Sequence, residues 1–459
     1  MRKVALIGLD GMAWHIILRY KDHFKNLLRL ASCGIRGINW CVPPYTPPSW
    51  ISISTGVAPT RHRVLGFELI SGGRTRAISS LDIRFPRISE IMALNNLKSV
   101  VINHIFSYPP RGWLLRNHVI VHDDYSPKKF VHPPNMGWVL KYFELPRLRS
   151  RYGDEKCALE LKRYVEMRIE GTLRLIEESD PDFLWVVFKE PDTLMHYLPF
   201  VAGSYRAVVG ELFSSIDEFI GEVEKTFNVI SIVSDHGFRI YTERINVLGL
   251  LARHGLIPSQ VLIRTIISHI LELNLIGYIT KPLLLSPRGA SLSYIVKELA
   301  RRHLKGYDRL EGSVALDTAE ADDAFVVYFR DLKLQEKAAK VLGKYVGDLF
   351  ECIEPIRVGD AYALLLVPKM KYHFGNAFEL RGVELNRIAA SNHSPDGMFL
   401  LRAPFLEAKT AEVRNFDVAP TLIASMDLPI ATHFDGIPAV RWDKKVNYFL
   451  RWKILRKLD

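Results

Sequence analysis

The sequence predicts an α/β protein built on a doubly wound, mostly parallel sheet. Three observations carry that expectation. Apolar runs without polar alternation, the pattern of strands buried on both faces, alternate with helical stretches along much of the chain. Acidic and imidazole side chains stand where several of those runs stop, and open α/β sheets bind ligands at the carboxyl ends of their strands. The 459 residues, 48% apolar and 24% charged, suffice for a large α/β domain with an insertion or for two domains.

The first run, KVALIGLD, reads as a strand ending at Asp10-Gly11, and a helix through NLLRLASCG follows it. Its apolar part is too short for a signal peptide and no small-residue cleavage site follows, so no export is expected. In PPYTPPSWISISTG, residues 43 to 56, Thr46 precedes a proline and is pushed toward an extended conformation. Pro47 and Pro48 suit the first turn of a helix running to Gly56. Thr46 then stands at a helix N-terminus, where the amides of Ser49 and Trp50 and the positive end of the dipole would face an anion.

Further strands are expected in LKSVVINH (97 to 104), DFLWVVFKE (182 to 190), NVISIVSDHG (228 to 237) and GMFLLRAP (397 to 404), with helices such as ALELKRYVEMRIEGTLRLIEES between some of them. Residues 251–310 are helical and basic and read as an insertion or cap near the active-site edge. The segment from 311 to 375 reads as strand, helix (QEKAAKVLGKYVGDLF) and strand (YALLLVP). The expected division is a core in two parts, 1–250 and 311–440, the 251–310 insertion, and a basic amphipathic tail over 441–459.

The four cysteines, Cys33, Cys41, Cys157 and Cys352, are scattered without a C-x-x-C pair, which argues against a thiolate zinc site and a disulfide scaffold and fits a reducing cytoplasm. The most apolar long stretch, residues 261 to 285, is broken by Arg264, His269 and Glu272, which favours a buried helical hairpin over a membrane span. A net charge of +11 favours acidic partners such as phosphate esters, anionic lipid or nucleic acid without choosing among them. The tail carries Lys444, Lys445, Arg451, Lys453, Arg456 and Lys457 beside Phe449, Leu450, Trp452 and Ile454, so it can dock on the protein's own surface or touch an anionic membrane peripherally.

Four segments bring chemistry to one sheet edge: Asp10 after the first strand, Asp192 and His196 four apart in EPDTLMH, Asp235-His236, and His393 in SNHSPDG. Carboxylates and imidazoles without thiolates suit zinc, or manganese as a harder alternative, and six such ligands are enough for two divalent ions each keeping an open position. Two ions roughly 4 Å apart stabilise both entering and leaving oxygens of a phosphoryl transfer. A hydroxyl bound to such an ion loses its proton far more readily, which makes Thr46 a candidate nucleophile.

LIGLDGM, YTPPSWISISTG with PTRH after it, FKEPDTLMH, VSDHGF and NHSPDG, in that order, resemble the type I phosphodiesterase/nucleotide pyrophosphatase family of the alkaline phosphatase superfamily. The closing FDVAPTLIASMDLPIATHFDG, residues 416 to 436, resembles it too. The resemblance implies an alkaline phosphatase-like core in which Asp192, His196 and His393 hold one metal, and Asp10, Asp235, His236 and the Thr46 oxygen the other. It implies hydrolysis of phosphodiesters or pyrophosphates through a phospho-threonine or nucleotidyl-threonine at Thr46. The substrate is then a small phosphate ester, nucleotides included, and nucleic acid is not expected.

Two departures stand out. Nucleotide-cleaving relatives often carry an asparagine three residues after the nucleophile to donate to a phosphoryl oxygen; Ser49 stands there, with a shorter reach. Arg63 follows His62 where a glycine is common. A sulfatase is disfavoured because Thr46 in TPPSW offers no residue convertible to formylglycine. A phosphoglycerate mutase-like enzyme or phospho-headgroup transferase would keep similar metals, and a binding protein that retained the fold without activity is the remaining alternative.

Overall fold

A computed structural model describes residues 2–71, 74–110, 117–144, 154–197, 206–256, 315–316, 326–329, 331–358, 361–374, 383–442, 444–449 and 452–453. The chain divides into two units, residues 1–67, 78–240 and 389–459 in the first and residues 68–77 and 241–388 in the second.

The first unit is built on a ten-stranded sheet. Seven of its strands are β1 (Val4–Leu9), β2 (Ile35–Trp40), β3 (Ser99–Ile102), β4 (His118–Val121), β5 (Phe183–Phe188), β6 (Val229–Val233) and β7 (Asp396–Arg402). Their order is β2-β7-β6-β1-β5-β3-β4, flanked by short strands at either end. From β6 to β4 every pairing is parallel, whereas β7 runs antiparallel to both β2 and β6. The continuous apolar runs of β1 and β5 are buried along their whole length, as strands covered on both faces require.

Alternate residues of each strand serve the two faces. Ala5, Ile7 and Leu9 join Leu184, Val186, Phe188, Ile230 and Ile232 in one apolar cluster. It includes Leu27 and Leu30 of α1 (Lys25–Ser32) and Leu212, Phe213 and Ile216 of a helix over Arg206–Val223. On the opposite face, α2 (Thr46–Thr55) approaches β1 so closely that a Cβ on Gly8 would meet the Trp50 ring at 2.5 Å. Trp185 of β5 lies beside Trp50 there, with ring centroids 6.4 Å apart. This is the doubly wound arrangement, and the mixed α/β fold with a mostly parallel sheet is the expected one.

The second unit contains a four-stranded sheet in which Val326–Phe329, Phe350–Val358 and Ala361–Pro368 pair antiparallel. This corrects the expected division, because those strands find partners in each other and do not extend the ten-stranded sheet. The tail groups with the first unit. The helix expected over QEKAAKVLGKYVGDLF spans Leu332–Leu342: the Asp331 side chain accepts from the Leu334 amide and starts it early, and Gly343, with no side chain to favour another α-turn, stands where it ends. Residues 257–314, which include nearly all of the expected insertion and the apolar stretch from 261 to 285, lie outside the described residues. Among the described residues no helix is long and apolar enough to cross a membrane.

Candidate active site

Three parallel strands and one antiparallel strand aim the site residues at a single edge. Asp10 follows β1, Asp235 and His236 follow β6, and Asp192 and His196 lie one turn apart on α3 (Glu190–Tyr197), directly after β5. His393 belongs to Val383–Ser394, just ahead of β7. Because β7 runs antiparallel to its neighbours, its start lies at the edge where β1, β5 and β6 end.

Gly11, in the left-handed region at φ 72°, turns the chain so that its amide donates to Asp235 Oδ1 at 3.2 Å. Met12 donates its amide to Ser234 Oγ at 2.9 Å. Asp10 is steadied through Oδ2 by the Trp50 indole N–H at 3.3 Å. His236 uses Nδ1 toward the Gly237 carbonyl at 3.1 Å and leaves Nε2 facing the site.

The structure gathers five of the seven predicted ligands into two overlapping groups and sets Asp235 and Thr46 against His236. In one, a donor atom each from Asp192, His196 and His393 lies within 4.8 Å of the others, and in the second Asp10, Asp192 and His236 do the same. Asp192, expected in one group only, belongs to both. Its Oδ1 is 3.3 Å from His393 Nε2 and 3.4 Å from His196 Nε2. His236 Nε2 is 3.6 Å from Asp10 Oδ1, 3.3 Å from Asp235 Oδ2 and 3.2 Å from Thr46 Oγ1. The rings of His236 and His393 stack at 3.8 Å and join the two groups.

Electrostatics divides them. Burial, then the charges of Asp235 and Asp192, raise the Asp10 carboxyl well above the usual carboxylate range. Burial, then Asp192, pushes Asp235 up to about 8. Burial acts in the same sense on Asp192, but the imidazoles of His196 and His393 outweigh it and hold that carboxyl well below its ordinary value. Burial, then His393, keeps His236 well below the usual imidazole range, so its lone pair is available.

Asp10 Oδ1, Asp192 Oδ1 and Asp235 Oδ2 are buried oxygens that accept no hydrogen bond among the described residues. Such oxygens cost free energy unless something positive meets them. Divalent cations meet that need, and oxygen and imidazole donors without thiolate suit zinc or manganese.

Thr46 opens α2, with Pro47 and Pro48 in the first turn and Gly56 closing it at φ 65°. The amide expected to be free on Ser49 donates to the Tyr45 carbonyl at 3.1 Å, and the two prolines have no N–H. The helix end therefore offers the site little beyond Thr46 itself. Ser49 is buried, and its hydroxyl donates to the Pro43 carbonyl at 3.4 Å.

Several contributors escaped the sequence reading. Trp50 stands four residues after Thr46, on the same helical face, and that spacing could have identified it. Lys189, beside the EPD segment, lowers the Asp10 carboxyl and places its ammonium 4.0 Å from the Tyr125 ring centroid. Glu190, the first residue of α3, is held by Arg168 at 2.8 Å with both side chains buried, a pairing that residues 22 apart do not announce. Tyr45, Phe67 and Tyr125 form an aromatic row beginning beside His393, with centroids 6.4, 5.7 and 4.6 Å apart in turn.

The family model described as type I phosphodiesterase / nucleotide pyrophosphatase matches residues 4–277, more than half of the chain. No curated protein sequence matches. Among solved structures, phosphonoacetate hydrolase from Sinorhizobium meliloti 1021 in complex with phosphonoformate is 14% identical, with a TM-score of 0.56 over 91% of this chain and 94% of that one. Murine ectonucleotide pyrophosphatase/phosphodiesterase 5, as an inactive variant in complex with AMP, is 11% identical, with a TM-score of 0.53 over 99% of both chains. A variant of alkaline phosphatase PafA is 12% identical, with a TM-score of 0.55 over 96% of this chain and 98% of that one. At such identities these likenesses establish the fold.

Proposed function

We propose a function from one premise: the chain belongs to the type I phosphodiesterase/nucleotide pyrophosphatase family and is a phosphoesterase hydrolase. It hydrolyses phosphodiester or pyrophosphate bonds of small phosphate esters, with Thr46 as nucleophile and two divalent cations, zinc or manganese, in the Asp/His clusters. The observation that carries this reading is the position of Thr46 Oγ1, 3.2 Å from His236 Nε2 at the junction of the two ligand groups.

His196, His393 and Asp192 would hold one cation, and Asp10, Asp235, His236 and Asp192 the other. When bound, the cations neutralise the buried carboxylates and act as Lewis acids toward the phosphoryl oxygens. Thr46 is β-branched, so its oxygen has few rotamers, and the first turn of α2 fixes its backbone. Its hydroxyl gives up its proton to water, its oxygen forms the new bond to phosphorus, and the leaving oxygen departs with its electron pair and takes up a proton, giving a phospho-threonine. Water then attacks phosphorus, the bond to Thr46 breaks, and the hydroxyl is restored.

Tyr45, Phe67 and Tyr125 offer an apolar wall for the organic part of the ester, and Lys189 a cation for its charge. A reducing, cytoplasmic setting belongs to the same proposal, because Cys33 and Cys352 are exposed free thiols. The test is turnover of a chromogenic diester by metal-loaded protein. Thr46→Ala should fold and bind metal yet lose roughly three orders of magnitude or more in kcat, and Thr46→Ser should keep part of the activity. Undiminished hydrolysis by Thr46→Ala would overturn the assignment of the nucleophile.

A further inference from the structure

The other end of α2 carries a second basic concavity that hydrolysis does not use. From Thr46 the helix rises ten residues, roughly 15 Å, to Gly56, and the chain then turns through Pro59–His62. A cavity of about 690 Å³ opens here, and Arg61, Arg63, Arg84 and Lys453 line it. That size lies within the usual range of small-molecule sites.

Its remaining lining is aromatic. Phe85, Phe449 and Trp452 form a near-parallel column, with centroids 5.4 Å apart at 22° and then 5.9 Å apart at 17°. The tail is anchored by Trp452, fully buried, whose indole donates to Glu90 Oε2 at 2.9 Å, and by Tyr448, whose hydroxyl bonds Asn95. The two aromatic side chains that could have entered a membrane are therefore packed against the protein itself. They complete a cavity instead.

The charges on that cavity are unbalanced. Arg61 has a carboxylate partner in Asp435 and lies over the Phe85 ring at 5.0 Å. Among the described residues no carboxylate lines the cavity, and the Arg63 and Arg84 side chains make no ion pair or hydrogen bond. Lys453 lies over Phe449 at 4.5 Å. The buried His433 ring packs against both phenyl rings, 5.9 Å from Phe85 and 5.7 Å from Phe449, with neither nitrogen hydrogen-bonded among the described residues. Cations converging on a concavity repel one another, and an anion held between them removes that cost. Guanidinium groups match the oxygens of a phosphate, and the edges of a ring column accept one more flat ring.

We propose that this cavity is a second ligand site, separate from the Asp/His clusters, that takes a soluble organic phosphate carrying a planar ring. Arg63, Arg84 and Lys453 meet the phosphate, and the ring packs against the edges of Phe85 and Phe449, whose faces are already covered. Arg63 has a left-handed backbone, φ 63°, a conformation that glycine adopts freely. Arg63→Gly therefore removes the cation without straining the turn.

The test is calorimetric titration of the full chain with α,β-methylene-ADP after metal removal by chelation, which takes from the catalytic clusters the cations that would hold a phosphate there. Saturable binding is expected, weakened tenfold or more in Arg63→Gly/Arg84→Ser. Diester hydrolysis by the metal-loaded double variant should stay at the native level. If that variant does not fold, as judged by circular dichroism, Lys453→Gln takes its place and should weaken binding several-fold. Absence of binding by the native chain, or equal binding by the variants, overturns the proposal. So does sedimentation with phosphatidylcholine vesicles only when they contain phosphatidylglycerol, if the nucleotide does not bind, since the site then belongs to a lipid headgroup. A chain that binds the nucleotide but hydrolyses no diester leaves this site standing and removes only the proposed activity.

Discussion

The two ligand groups share Asp192 and otherwise differ in surroundings. The outer one, with His196 and His393, reaches the surface: the His196 side chain is 40% exposed, and two imidazoles hold the single carboxylate well below its ordinary range. The inner one, with Asp10, Asp235 and His236, is wholly buried; burial and the charges of Asp235 and Asp192 raise the Asp10 carboxyl, and burial and the charge of Asp192 raise that of Asp235. The same donor types thus give a rim site that is already ionised and a buried one that must shed protons before a cation can enter. The difference teaches that loading of the two positions should separate with pH and with mutation.

Removing the shared ligand should have the largest effect. Asp192→Ala should lose both cations in metal analysis, whereas Asp235→Ala should lose the inner and His393→Ala the outer. Activity should fall in all three by about a hundredfold or more, given how strongly metal sites depend on their ligands. If Asp192→Ala retains one full equivalent, the carboxylate is not shared.

A smaller effect concerns the stability of the metal-free protein. A carboxyl raised in the folded state contributes stability that is complete below its unfolded value, near 3.8, and is lost as pH rises through the folded value, about 8 for Asp235. Asp10 shifts in the same direction, while Asp192 is lowered and does not titrate in that window. The melting temperature of chelator-treated protein should therefore drop between pH 5 and pH 8 on the scale set by those pKa values, and added zinc should reverse the drop. Asp235→Asn should flatten the profile; an unchanged slope in that variant would show that the carboxyl does not carry it.

His196→Ala tests the rim more gently, because water reaches that position and can replace the lost imidazole. Outer-site affinity should weaken by about tenfold, with the inner equivalent untouched on titration. Ser49→Ala should have the smallest effect, under about threefold in kcat/KM, since its hydroxyl is engaged with the Pro43 carbonyl. A large loss there would mean that the side chain turns toward substrate during turnover.

The strands of the large sheet were legible because burial on both faces leaves an uninterrupted apolar signature, as in VALIGL and FLWVVF. The ligands were legible because each follows or precedes such a run closely. The antiparallel strands of the second unit carry the same apolar signature, and nothing local says which sheet they will join. The free amide expected on Ser49 was lost to a carbonyl one turn back, a competition that helix geometry decides.

By itself, then, the sequence determined which residues would reach the active-site edge, because local periodicity sets where a strand stops and which residue type stands next. Tertiary structure alone decided that Asp192 serves both groups, that Trp50 steadies Asp10, that Arg168 holds Glu190, and that Phe449 and Trp452 of the tail close a basic cavity against Phe85. Arg168 and Glu190 lie 22 residues apart in the chain, and Glu90 and Trp452 several hundred. Distances of a few ångströms between them depend on strand register and on helix packing, and neither is written in any one segment.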